Sequence, residues 1–285
     1  MAKVHIVTDS TSDLPYEMYA QLGVTMVPLN VHFGEEVFRD IVELPPEKFF
    51  TKLVNDKTQP RTSQPSPGDF AEVYRRLAAE GGPIVSIHLS KDLSGTYQSA
   101  LLAKSMVPEA DVTLVDSRLA SLGTGLGVID AARLAEAGKS PAEIAAHLES
   151  VFARSSVYFA VDTLEYLQRN GRIGKATAFL GGLLSVKPIL MLKDGIVHPV
   201  EKARGRVKAL ARMVEIVTEK LASGSEAGKP ARVAVLHAMC QEEAVKVLTA
   251  IKEKVDVRES LVAPIGAVIG ANTGPGTIGV AFHSL

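Results

Sequence analysis

The residues best placed to do chemistry sit in hydroxyl-bearing turns that follow apolar runs. Leu93-Ser94-Gly95-Thr96 comes after Pro83-Ile84-Val85-Ser86-Ile87-His88 and opens a helical pattern. Helix-start amides, the positive end of the helix dipole and two hydroxyls converge there, and Gly95 has no side chain to block them. That combination suits an anion. Thr8-Asp9-Ser10 and Asp116-Ser117 also end apolar runs, and open parallel sheets bind ligands at the carboxyl ends of their strands. Each turn taken alone also reads as an ordinary cap. Arg61-Thr62-Ser63 precedes a capping box, Ser66 to Asp69. The hydroxyls of Thr62 and Ser63 are therefore not needed to start that helix, and a plain polar loop is the alternative.

Other constellations point away from cofactor or metal chemistry. Gly274-Pro275-Gly276-Thr277-Ile278-Gly279 matches G-x-G-x-x-G, but the dinucleotide fingerprint must follow a strand and open a helix. Here a short strand-like run follows instead, so 266–279 reads as a glycine-rich loop near a ligand or as plain turns. Gly123, Gly125 and Gly127 have the wrong spacing, and there is no Walker A motif. Seven histidines are scattered without H-E-x-x-H or Cys/His pairing, so no metal site is expected. No G-x-S-x-G elbow occurs, and no catalytic residue is assigned. Gly171-Arg172-Ile173-Gly174-Lys175 leads into an apolar segment, 179–184, in which Phe179, Leu180, Leu183 and Leu184 could line a cavity or fill ordinary core. Arg204 and Arg206 start a helix, where a cation opposes the dipole. They read as solvated charges, unless something else holds one of them there.

These turns need strands and helices to place them. Short, non-alternating apolar runs at 4–8, 24–31, 84–88 and 112–115 read as parallel strands covered on both faces. Helical patterns at 67–79, 95–106 and 125–137 separate or follow them, and Ser140-Pro141-Ala142-Glu143 opens another helix with a capping box. Strand–helix alternation argues for a wound parallel sheet. The second half differs. A strand at 157–161 precedes a hairpin over 188–201, whose Asp194-Gly195 is a strong turn signal. A helix at 205–221, a strand at 232–237, a helix at 241–255 and a strand at 277–283 follow. The expected fold class is α/β with two domains: a three-layer α/β/α parallel-sheet domain over 1–155 and a two-layer α+β mixed-sheet domain over 156–285.

The chain has 285 residues, 46% of them hydrophobic, with a net charge of −1. That balance supplies a core and offers no basic face, so nucleic acid is not an expected partner. The single cysteine, Cys240, precludes an internal disulfide and fits a reducing compartment. The N-terminal apolar run is too short for a signal-peptide core. No segment approaches the ~20 apolar residues of a membrane span, so a cytoplasmic, unanchored protein is expected, most simply a monomer.

Taken together, Thr8-Asp9-Ser10-Thr11-Ser12-Asp13-Leu14-Pro15, Thr62-Ser63-Gln64-Pro65-Ser66, Leu93-Ser94-Gly95-Thr96, the run from Gly171 to Leu190, and the terminal Gly266 to Phe282 segment resemble the DegV family of bacterial proteins. The resemblance spans nearly the whole chain in order. It implies a long-chain fatty acid ligand, such as palmitate or oleate, with the carboxylate held by Thr62 and Ser94 and the tail in a tunnel between the domains. It implies a lipid carrier without cofactor, not an enzyme, serving as the fatty-acid-binding subunit of a fatty acid kinase system. The family's second-domain arginine matches Arg204. Where the family often has histidine, this chain has Asn272, which hydrogen-bonds but carries no charge near neutral pH. The fold is related to dihydroxyacetone kinase, so a phosphotransferase or hydrolase is the competing reading.

Overall fold

The computed structural model describes residues 3–56, 58–181, 186–223 and 227–285. The first half runs β1 (His5–Asp9), α1 (Tyr16–Gln21), β2 (Val24–Val27), β3 (Asn30–Phe33), β4 (Glu36–Arg39), α2 (Pro46–Asn55), β5 (Arg61–Ser63), α3 (Pro67–Glu80), β6 (Ile84–His88), α4 (Thr96–Met106), β7 (Val112–Asp116), α5 (Leu122–Glu136) and α6 (Pro141–Arg154). The second half runs β8 (Ser156–Ala160), α7 (Glu165–Arg169), β9 (Val186–Lys193), β10 (Ile196–Arg204), α8 (Arg206–Leu221), β11 (Ala231–His237), α9 (Gln241–Lys252), β12 (Val257–Pro264), α10 (Ala267–Thr273) and β13 (Ile278–Ser284).

Strands β2-β1-β6-β7 form a wholly parallel sheet. Strands β10-β9-β8-β13-β11-β12 form a mixed sheet in which only β11 and β12 run parallel. The expected mixed α/β class is the one observed. A small antiparallel sheet, β4-β3-β5, was not expected. The run 24–31, read as one strand, breaks at Pro28, which has no N–H for a ladder. Leu29 then gives its N–H to the Ser10 hydroxyl at 3.1 Å, and β3 joins the small sheet.

Side-chain alternation explains the layering. Val7 and Ile84 face α3 and α4, packing with Phe70, Tyr74 and Ala100. Ile6, Val85 and Ile87 face the other way, onto α5 and α6. The same core takes in Val157, Phe159, Ala234 and Leu236 from the mixed sheet, so α5 and α6 lie between the two sheets. Tyr158, Val233 and Val235 project from the opposite face onto α8 and α9. The close approach of α5 to β8 depends on Gly123, where a Cβ would lie 2.5 Å from Val157 Cγ2. Both capping boxes form as read, Ser66 with Asp69 and Ser140 with Glu143. Asp194 and Gly195 both have positive φ, 52° and 82°, as a two-residue type I′ hairpin requires. The hairpin tip docks on the parallel sheet through Ser90, whose hydroxyl donates to Gly195 O at 2.7 Å.

One polar knot lies between α5 and the mixed sheet. Arg232 pairs with Asp130 of α5 and, at 3.0 Å, with Glu259. His283 lies opposite Arg232 on β13 and is only 1% exposed. Burial, and then the Arg232 charge, pushes its imidazole down to about 4. The unfolded chain therefore binds the extra proton first as pH falls. The neutral buried histidine contributes stability that is present above about pH 6.5 and lost as pH falls toward 4, about 3 kcal/mol over that window. Urea unfolding of wild type and His283→Asn between pH 4 and 7 should show the wild type losing its advantage as pH falls. A constant difference would overturn the assignment.

Candidate ligand-binding site

The carboxyl edge of the parallel sheet faces the mixed sheet across a cavity of about 100 Å³. Val157, Phe159, Leu192, Val197 and Leu236 supply its wall from the mixed sheet. They share one face because β8, β9, β10 and β11 run side by side with β13, and alternate residues point the same way. Leu89 and Leu93 line it from the β6–α4 connection, and Ile265, Val268 and Ile269 from the α10 side. A mostly apolar lining with a few polar groups matches the usual character of small-molecule sites.

The polar groups gather from separate elements. Thr62 lies on β5 opposite Val31, and Ser94 precedes α4; both line the cavity. Ser94 is not the helix cap. Gly95 takes that position, while Ser94 Oγ lies 2.9 Å from Thr96 Oγ1 and accepts from the Thr96 N–H at 3.3 Å. The Gln64 amide packs against Gly95. Asn272 also lines the cavity. Its Nδ2 donates to Val268 O at 2.8 Å, and its buried Oδ1 has no partner among the described residues.

Arg204 is not brought to this place. It is exposed on β10, opposite Val186, and does not line the cavity. Arg172, exposed and tied to Leu93 O at 3.1 Å and Asn170 O at 2.6 Å, is the cation at the rim. Sequence gave it no such role, although it stands in the run the family resemblance quotes. Arg206 is held, as a cation at a helix start must be. It bonds Glu243 at 2.8 Å, Gly276 O at 2.6 Å and Asp162 at 3.3 Å. Phe179 and Leu180 lie outside the cavity wall, where Lys202 sits 4.6 Å above the Phe179 ring. Leu183 and Leu184 lie outside the described residues.

The other hydroxyl turns at the sheet edge are closed, as the ordinary-cap reading of each one has it. Asp9 accepts from the Thr11 N–H at 3.0 Å and from Leu89 N–H at 3.2 Å, and meets His88 Nδ1 at 3.0 Å. Ser117 pairs with Thr124 at 2.8 Å, and Asp116 accepts from Arg118 N–H at 2.9 Å. The segment 266–279 is also not simply a loop: it contains α10. Its start is held by two carboxyls from the first half. Asp13 Oδ1 accepts from Gly266 N–H and Asp40 Oδ1 from Ala267 N–H, each at 3.0 Å. Gly266 permits this approach, since a Cβ there would sit 2.5 Å from Asp13 Oδ1. Burial pushes the Asp40 carboxyl up to about 6 and holds Asp13 well above the usual range. Among the described residues no group of three or more acidic, histidine or cysteine side chains could hold a metal ion, and no helix is long and apolar enough to cross a membrane.

Comparison with known proteins adds to this geometry. A DegV domain-containing protein of Halalkalibacterium halodurans is 40% identical over 284 residues, 99% of each chain. The structure superimposes on a DegV family protein from Thermus thermophilus, described for its fatty acid binding, with a TM-score of 0.93, 41% identity and complete coverage of both chains. It superimposes on DegV from Bacillus subtilis, described as a fatty acid binding protein, with a TM-score of 0.91, 38% identity and complete coverage of both. The family model for uncharacterised DegV proteins matches residues 3–285, and the chain belongs to the DegV family.

Proposed function

We propose that this protein binds one long-chain fatty acid, such as palmitate or oleate, and presents it to a separate fatty acid kinase in the bacterial cytoplasm. The carboxylate is held by Thr62 and Ser94, with Asn272 and the rim cation Arg172 beside them. The tail lies between two domains, 1–155 and 156–285. The observation that carries this reading is the apolar cavity with the hydroxyl residues Thr62 and Ser94 in its lining. A tail of roughly fifteen CH₂ groups gains on the order of 12 kcal/mol on burial, before the costs of association. Its carboxylate must be hydrogen-bonded if buried, and two hydroxyls meet that need. The fatty-acid-binding relatives support the same ligand class. Arg204 is exposed and does not line the cavity, so it is given no carboxylate contact.

Native mass spectrometry of purified protein should show one bound acyl chain per polypeptide, or saturable uptake of added palmitate. Protein that carries no lipid and takes up none would overturn the reading. ATP-Mg should leave the melting temperature unchanged while fatty acid raises it; the reverse would favour a phosphotransferase.

A further inference from the structure

Ser121 combines features that binding alone does not use. It stands on the crossover from β7 to α5 and lines the same cavity as Thr62 and Ser94. Its backbone has φ 54° and ψ −144°. That region is essentially confined to glycine and costs a serine on the order of 1–3 kcal/mol. Its Oγ donates to Asp13 Oδ2 at 2.5 Å. The next N–H, of Leu122, begins a fifteen-residue helix and finds no acceptor among the described residues. The two following amides are occupied, by Ala120 O and Ser121 O. A serine on a strained strand-to-helix turn, a carboxyl in hydrogen-bond contact and a free amide one residue on are the working parts of an acyl-transfer centre. This arrangement was not visible in the sequence, because Ala120-Ser121-Leu122-Gly123 lacks the glycine before the serine that marks an elbow.

We propose that Ser121 is a nucleophile toward activated long-chain acyl groups, as esters, thioesters or acyl phosphates, with Asp13 as its base. The proposal rests on the cavity being a lipid site. In the first step a bond forms from Ser121 Oγ to the acyl carbon and the hydroxyl proton passes to Asp13. The bond from that carbon to the leaving oxygen or sulfur breaks, and the leaving group keeps the electron pair. The Leu122 N–H stabilises the oxyanion. Asp13 passes the serine proton to the departing leaving group and returns to the carboxylate. Water then attacks the acyl-serine ester, giving one proton to Asp13; Oγ leaves, takes that proton back from Asp13, and the free fatty acid stays in the cavity. Among the described residues no histidine lines the cavity, so the second step is slow and the acyl-serine accumulates.

Asp13 is also faced by the Gly266 amide, by Asp40 and Asp9, and by Tyr19 through its coupling in the same knot, with His88 bound to Asp9. Burial and the two neighbouring carboxyls keep Asp13 protonated to higher pH than an ordinary aspartate. Acylation therefore speeds up as pH rises through its titration.

The test is full-length protein mixed with p-nitrophenyl palmitate, read by nitrophenol release and intact mass. One equivalent should be released in a burst, with a gain of one palmitoyl group mapping to the peptide that holds Ser121. Ser121→Gly, which relieves the backbone strain, should abolish burst and adduct, and Asp13→Asn should slow the burst and remove its rise with pH. No burst in the wild type, or an undiminished burst in Ser121→Gly, overturns the proposal. Palmitate binding measured alongside separates the two claims. Binding without acylation sinks this inference alone, whereas absence of both sinks the lipid reading with it.

Discussion

Asp40→Ala is expected to cost about 2–4 kcal/mol of stability, because it leaves several buried hydrogen-bond donors without their acceptor. Asp40 lies within the chain's first half yet caps an element 227 residues away. Its Oδ2 accepts from Ser10 Oγ at 2.7 Å and its Oδ1 from Ala267 N–H at 3.0 Å. The amides of Val268 and Ile41 also stabilise the carboxylate. Alanine leaves these donors buried and unpaired, each at about 1–3 kcal/mol. Asp40→Asn is the control, because asparagine keeps an acceptor for Ala267 and resembles the protonated acid.

The pH dependence sharpens the contrast. With its carboxyl pushed up from 3.8 to about 6, folded Asp40 holds a proton that the unfolded chain releases. Its contribution is fully present below about pH 3.8 and is lost as pH rises through 6. At pH 7 the wild type bears the cost of an ionised buried carboxyl, so the asparagine variant should lie within about 1 kcal/mol of it. Guanidinium unfolding at pH 7 decides the matter. An alanine variant as stable as the asparagine one would show that Asp40 does not anchor α10.

The same residue explains why parts of the fold were legible in sequence and parts were not. The hairpin at Asp194-Gly195 and the boxes at Ser66 and Ser140 are local devices, with signal and partner within four residues. Helix α10 is not local. Glycines at 266, 270 and 274 dilute its helical pattern, and its N-terminal amides are capped by Asp13 and Asp40 across 253 and 227 residues. Strand β12 was not legible because Val257-Arg258-Glu259-Ser260 alternates in exposure but not in polarity: Glu259 turns inward to meet Arg232, a partner that exists only in the fold. Helix α2 was missed although Pro46 opens it and Phe49, Phe50 and Leu53 mark its buried stripe. At the site, spacing could not choose among the hydroxyl turns. All three hydroxyls have an internal partner; what distinguishes Ser94 from Ser10 and Ser117 is that Ser94 lines the cavity. Which hydroxyl meets the cavity is decided only once the chain has folded. Family resemblance singled out Thr62 and Ser94 without it.

Replacing both hydroxyl residues, as Thr62→Val with Ser94→Ala, is expected to weaken palmitate binding by about 10²–10⁴-fold. Hydrogen bonds to a charged group contribute about 1.5–3 kcal/mol each, and every 1.4 kcal/mol is a factor of about ten in Kd. Valine preserves the shape of Thr62 and removes only the hydroxyl. Alanine at 94 also deprives Thr96 of a hydroxyl partner and an amide acceptor, so the melting temperature must be followed together with affinity. The apolar wall is untouched by either change. Methyl palmitate, which keeps the tail but has no anionic head, should therefore bind wild type and double variant within about threefold of each other. Loss of both ligands would mean that the substitutions collapsed the cavity. Palmitate binding retained within about threefold would mean that its carboxylate is held elsewhere, with Arg172 at the rim as the group to test next.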